Sequence, residues 1–223
     1  MSTTSSSSGS TASPASSQAR LPSGFAHYPL YFEISQQQAL IDAVKSGAAK
    51  APFYQPSMPR TGAPLSVVMS NFGTLGWVTD KTGGYRYEAV HPKTGAPWPA
   101  LPKILLDLWN AVADCPAPPE ACLINWYRED RASKMGMHVD NDEKEVRAPV
   151  VSVSLGDPAT FRIGGLKRGG SATSLKLMSG DVVVLAGAAR LCHHGVSKVF
   201  YGQSALVPRG GRINLTMRRV NPF

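Results

Sequence analysis

The sequence predicts a mainly β protein with flanking helices, a sandwich or jelly-roll (double-stranded β-helix) core, and three observations carry that expectation. Beyond Cys122 the apolar residues recur at every second position, the period of a strand. These strand-like segments are short and broken by Gly- and Pro-containing turns, as in β-sandwiches and barrels. Only two upstream segments keep the spacing of a helix. At 223 residues the chain suits one domain and can bury a sizeable core.

Taken in order, residues 1–24, MSTTSSSSGSTASPASSQARLPSG, hold hardly any large apolar side chain. They cannot offset their ordering entropy and are expected to form a disordered tail, with the folded domain over 25–223. In SQQQALIDAVKSGAAKAP, Ser35 is expected to cap a helix striped by Leu40, Ile41, Val44 and Ala48. In LPKILLDLWNAVADC, Leu101, Ile104, Leu105, Leu108, Trp109 and Val112 trace a second amphipathic helix. Both helices should brace the barrel from outside. APVVSVSLG alternates through Val151, Val153 and Leu155, and SGDVVVLAG reads as a turn entering a buried run. RINLTMR sets Ile213, Leu215 and Met217 against Arg212, Asn214, Thr216 and Arg218.

Charge and cysteines bound the function. Lys and Arg number 23 against 15 Asp and Glu, a net +8 that suits a polyanionic partner. Cys115, Cys122 and Cys192 form neither a C-x-x-C pair nor an even framework, which favours a reducing compartment. No apolar run approaches a membrane span, and the N-terminus lacks the marks of a secretion signal. A cytoplasmic protein working as a monomer is the expectation.

Two stretches hold candidate chemistry. In MGMHVDNDE, His138 and Asp140 stand at i and i+2, so on a strand both aim at one point. A solvated turn with an incidental histidine is the plain alternative. Among the remaining histidines, His27 and His91 precede the predicted sheet region, so RLCHHGV, with His193 and His194, is the better source of a third ligand. Two histidines and one carboxylate leave three octahedral positions open, as in non-haem Fe(II) oxygenases, whereas structural zinc takes four closed ligands, usually thiolates. Along RINLTMR, Arg212 and Arg218 stand roughly 20 Å apart on one face and could clasp the two ends of a dicarboxylate. The plain reading of that strand is an exposed basic edge.

From Leu65 to Arg218 the chain resembles the AlkB-like Fe(II)/2-oxoglutarate dioxygenases, most closely their bacterial DNA-repair branch. The likeness rests on SNFGTLGW, GYRY, PWPALP, ACLINWY, HVDNDE, RAPVVSVSLGDPATFRIGGLKR, SGDVVVL, RLCHHG and RINLTMR, in that order. The resemblance implies Fe(II) held by His138, Asp140 and His194, with His193 facing away, and O2 as the second cosubstrate. It implies 2-oxoglutarate held by Arg212, Asn214 and Arg218 with Asn125 and Tyr127. It places Trp77 and Tyr85, with Tyr87 nearby, in a nucleotide-recognition lid near 70–92, where Gly83 and Gly84 would allow movement. Asp142 and Arg168 match positions around the flipped base. The implied activity is oxidative demethylation of N1-methyladenine or N3-methylcytosine in DNA, single-stranded by preference, or in RNA. Decarboxylation of 2-oxoglutarate to succinate and release of formaldehyde would accompany it. A catalytically silent reader of modified nucleic acid is the rival of another class. Cys192 and His193 stand where bulky aromatics are expected before the last ligand, so the pocket wall there departs from the family pattern.

Overall fold

The computed structural model describes residues 21–223, so most of the expected tail, residues 1–20, lies outside the described residues. Within the stretch assigned to that tail, Gly24 is already tied down, its carbonyl accepting from Ala186 N at 2.9 Å. Among the described residues there are twelve strands and two α-helices.

A six-stranded antiparallel sheet runs in the order β1 (Phe25–Tyr28), β10 (Val182–Leu185), β7 (Val150–Gly156), β12 (Arg212–Arg218), β5 (Ala121–Tyr127), β2 (Val68–Gly73). A four-stranded sheet runs β6 (Met135–His138), β11 (His194–Val199), β8 (Ala159–Ile163), β9 (Thr173–Leu177). A hairpin, β3 (Gly76–Asp80) and β4 (Gly84–Glu88), stands apart from both. This is the double-stranded β-helix that the alternation predicted, and β1 shows that the sheet also recruits the segment carrying His27.

The period of two sorts each strand of the large sheet between two cores. Val151, Val153, Leu155, Val182, Val184, Ile213, Leu215 and Met217 face outward. They pack on α1 (Ile34–Lys50) and α2 (Lys103–Val112) through Leu40, Ile41, Val44, Leu105, Leu108 and Trp109. Burying each such aliphatic side chain contributes about 1.5–3 kcal/mol. The other parity joins Phe161, Ile163, Leu177 and Val196 of the small sheet to Leu123, Val150, Val183 and Leu185. Both helices therefore brace the barrel on one side, as expected. Ser35 does not cap α1: Glu33 is the cap residue, and Gln36 reaches back to accept from its N–H at 3.0 Å. A carboxylate and an amide do here what the Ser hydroxyl was expected to do.

Candidate active site

The polar parity of β12 faces the space between the sheets. There a cavity of about 920 Å³ is lined by Asn125, Tyr127, His138, Asp140, His194, Arg212, Asn214 and Arg218. All eight residues expected to hold metal and cosubstrate thus meet in one place. β12 sits between β5 and β7 over its whole length, so Asn214 lies opposite both Asn125 and Ser154, and Arg212 opposite Tyr127.

His138, Asp140 and His194 each offer a ligand atom within 4.8 Å of the others. His138 ends β6, and Asp140 lies on the loop beyond it, so the shared strand face expected from H-x-D spacing is not what joins them. They meet because His138 pairs with His194, the first residue of β11. Gly195 lets the two strands close there: a Cβ on it would sit 2.6 Å from the Met135 carbonyl oxygen. His138 Nε2 is 3.5 Å from Asp140 Oδ1, and His194 Nε2 is 3.7 Å from Asp140 Oδ2. The Nδ1 atoms face the carbonyls of Gly136 at 2.9 Å and Cys192 at 3.1 Å. A carbonyl only accepts, so both Nδ1 atoms carry the proton and both Nε2 lone pairs aim at the shared point. His193 takes no part in the cluster, its Nδ1 lying 3.3 Å from the Gly165 carbonyl, but it does not leave the site as expected, for it lines the same cavity.

The electrostatics suit a cation. Burial alone would raise the Asp140 carboxyl, but Arg218 and the two imidazoles outweigh it and hold it well below the usual range. Burial pushes His194 down to about 4, so it is neutral and able to ligate. For His138 burial acts downward too, but the Asp140 carboxylate prevails and raises it. Asp140 Oδ2 is buried with no hydrogen-bond partner among the described residues.

Arg212 is 1% exposed, and its Nε and Nη1 likewise find no partner among the described residues. Its Nη2 donates to Ser154 Oγ at 2.6 Å. Burial lowers this guanidinium to about 10, as expected of a cation with no carboxylate against it. Two free N–H groups on a planar fork match one carboxylate of a dicarboxylic acid. Arg218 is already engaged, with Nη2 2.8 Å from Asp140 Oδ1, Nε 3.3 Å from Glu143 Oε1 and Nη1 3.3 Å from the Tyr87 hydroxyl.

Two buried ionic residues were missed by sequence reasoning. Arg190, 2% exposed, donates to the carbonyls of Asp140 and Ala148 and pairs with Glu143 Oε2 at 3.0 Å. It clamps the loop that carries Asp140. The only sequence signal was the acid-rich run DNDEKE, which reads equally well as solvated.

At the cavity's outer end Trp77 and Tyr85 stack with ring centroids 5.5 Å apart. Trp77 Nε1 donates to Asp142 Oδ2 at 2.7 Å, and Asp142 and Arg168 line the same cavity. Tyr87, expected beside them, does not line it: one strand pitch from Tyr85, its hydroxyl turns inward to Glu143. Gly84 takes φ +68° in a turn that Asp80 closes, accepting from Thr82 N at 2.9 Å and Gly83 N at 2.6 Å, so the glycines shape a fastened turn.

The model of the 2OG-Fe(II) oxygenase superfamily matches residues 24–218. The chain belongs to that superfamily. It is 52% identical to an alpha-ketoglutarate-dependent dioxygenase AlkB homolog of Caulobacter vibrioides, over 88% of this chain and 87% of that protein. Against alpha-ketoglutarate-dependent dioxygenase AlkB of Escherichia coli K12 it is 41% identical, over 84% and 87%. The solved structure of OsALKBH1, 29% identical, superposes over 90% of this chain and 100% of its own with TM-score 0.74. The protein is an AlkB-like Fe(II)/2-oxoglutarate-dependent dioxygenase, and the His–Asp–His cluster, with Asp140 and His194 buried, and the two Arg212 nitrogens without a partner among the described residues fit the iron and the cosubstrate the superfamily uses.

Proposed function

We propose that this oxygenase demethylates N1-methyladenine and N3-methylcytosine in single-stranded DNA. The stacked pair Trp77–Tyr85, at the open end of the cavity that leads to the His–Asp–His cluster, carries this reading. A base swung out of its stack needs an aromatic face to receive it, and base–aromatic stacking is worth about 1–3 kcal/mol. The net +8 suits a phosphate-bearing substrate.

In this reading His138, Asp140 and His194 hold Fe(II). Arg212, with Tyr127 beside it, takes the far carboxylate of 2-oxoglutarate, while Asn125 and Asn214 line the path between. Arg218 holds Asp140 ionised and in place. Asp142 fixes the Trp77 ring, and Arg168 stands at the rim near the base. Bound Fe(II) with 2-oxoglutarate and O2 supplies the oxidation, in which the cosubstrate becomes succinate and carbon dioxide and the N-methyl carbon leaves as formaldehyde. The chain's own work is to orient the base, exclude water and neutralise charge. A silent reader would need neither the cluster nor Arg212.

Mass spectrometry of an oligonucleotide carrying one N1-methyladenine, incubated with Fe(II), 2-oxoglutarate and air, tests the proposal. Loss of one methylene mass with the wild type and not with His138→Ala is the expected result. Consumption of 2-oxoglutarate with the DNA unchanged would defeat the DNA substrate, and the same assay on RNA decides between the two nucleic acids.

A further inference from the structure

The four-stranded sheet carries charge of one sign. Its strands contain no aspartate or glutamate, and neither do the wider segments 159–177 and 187–201. Residues paired across an antiparallel ladder share a face. Thr160 pairs with Lys198 on one side and Lys176 on the other, while Arg162 pairs with Gly195 and Ser174. Phe161 and Ile163 point into the core. Arg162, Lys176 and Lys198 therefore stand together on the outer face, and all three are exposed. Strand geometry puts Arg162 about 7 Å along from the row holding both lysines, which lie about 10 Å apart across two strand spacings.

Both ammonium groups also lean on one ring, Lys176 Nζ at 5.2 Å and Lys198 Nζ at 4.8 Å from the centroid of Phe200. That contact orders two otherwise floppy cations. None of the three forms an ion pair among the described residues. The helical layer behaves differently: Lys45 pairs with Asp42 at 3.0 Å and Lys103 with Asp107 at 2.7 Å. A lysine on the edge strand β9 blunts unwanted pairing. Arg162 and Lys198 lie on the inner strands β8 and β11, where no edge needs guarding. The β8–β9 connection carries exposed Lys167 and Arg168, and Arg168 lines the cavity, so the cations continue from this face to the active-site mouth.

We infer that the outer face of the four-stranded sheet is a track for the sugar–phosphate backbone that runs on from the base in the cavity, with Arg162, Lys176 and Lys198 as its phosphate contacts. This rests on the proposed nucleic-acid substrate. Unpaired, converging cations on an acid-free surface favour a repeating anion, and each contact releases counterions from it.

The test compares wild type, a triple variant (Arg162→Ser, Lys176→Ser, Lys198→Ser) and a charge-matched control on the helical side (Lys45→Ser, Lys50→Ser, Lys103→Ser). Binding of a 15-mer single strand is followed across a salt series, beside demethylation of that 15-mer and of a trinucleotide centred on N1-methyladenine. The triple variant is expected to flatten the slope of log K against log salt by about 2, at ~0.7 per lost contact. Its kcat/KM should fall at least tenfold on the 15-mer and stay unchanged on the trinucleotide, and the control should match wild type. An unchanged slope, or an equal change in the control, overturns the track. So does a triple variant that loses binding to 1:1 phosphatidylserine–phosphatidylcholine vesicles while keeping its 15-mer slope, which assigns the face to membranes. Wild type inactive on both oligonucleotides removes the substrate reading instead.

Discussion

Arg212 carries a full charge into a wall where no carboxylate of the described residues lies within ion-pair distance, and burial lowers its pKa from the usual arginine value to about 10. The unfolded chain holds this proton more tightly. Between those two pKa values stability therefore rises with pH, and below about 10 the full penalty is present. Arg212→Met should remove it and leave the ligand-free protein unchanged or up to about 4 kcal/mol more stable. The same variant should lose the stabilisation that 2-oxoglutarate gives the wild type, about 2.7 kcal/mol at a hundredfold excess over Kd. Thermal unfolding with and without 2-oxoglutarate checks both halves; a variant destabilised without ligand and still responsive to it would refute the assignment. At this scale much was legible. Histidine, aspartate and arginine at these spacings announce their chemistry because few other tasks bring them together. Arg190 and Glu143 were not legible, since a buried ion pair depends on the path of the loop after Asp140. In a basic chain an arginine in GAARLCHH reads like any surface one.

Two elements set the access and rigidity of the site. The β3–β4 hairpin is pinned at Trp77, whose N–H and carbonyl are both held by the Asn71 side chain, at 3.1 and 3.2 Å. Tyr85 is half exposed, and beyond its stack on Trp77 its hydroxyl reaches the Met58 sulfur at 4.0 Å. Tyr85→Ala should therefore raise KM for a methylated oligonucleotide about 10- to 100-fold through lost stacking. KM for 2-oxoglutarate should not move, and steady-state kinetics with each substrate varied in turn separates the two. The loop of Asp140 depends on Arg190 instead. Arg190→Met strips the Oε2 partner from Glu143, leaving it Arg218 and Tyr87 on Oε1, and frees the carbonyls of Asp140 and Ala148, and should cost about 3–5 kcal/mol in denaturant unfolding. Adding Glu143→Gln should recover part of that, a coupling of about 0.5–3 kcal/mol. Long periodic elements were readable from sequence because burial on one face imposes the period. Their ends were not: Glu33 displaced Ser35 as the cap, and β6 stopped at His138, because ends are settled by local hydrogen bonds.

Across the whole molecule, helices cover one side of the large sheet and the cavity opens on the other, so the helical core and the catalytic wall share the strands of one sheet. The C-terminus is fastened to this body through Glu120. Its carboxylate accepts from the N–H groups of Val220 at 2.9 Å and Asn221 at 2.7 Å, with Arg219 Nε at 3.4 Å. Burial pushes this carboxyl up, but the Asn221 and Val220 contacts and Arg219 outweigh it and hold it below the usual carboxylate range. A depressed carboxyl stabilises above its unfolded pKa and loses that contribution as pH falls through the folded one. The gap in unfolding temperature between wild type and Glu120→Gln should be widest near neutral pH and close on acidification below about 4.5; a gap that widens in acid would contradict this.

β12 pairs with a neighbour on both sides at all seven of its residues, from Arg212 to Arg218. A strand so placed has no edge from which to fray, and its amides are released only when the whole sheet opens. Hydrogen exchange at Asn214 and Thr216 should therefore report the global unfolding free energy, while amides of the β3–β4 hairpin exchange far sooner. Warming this enzyme should loosen the hairpin, and with it the proposed hold on a nucleic acid, first. The hold on cosubstrate should persist until the fold itself is lost.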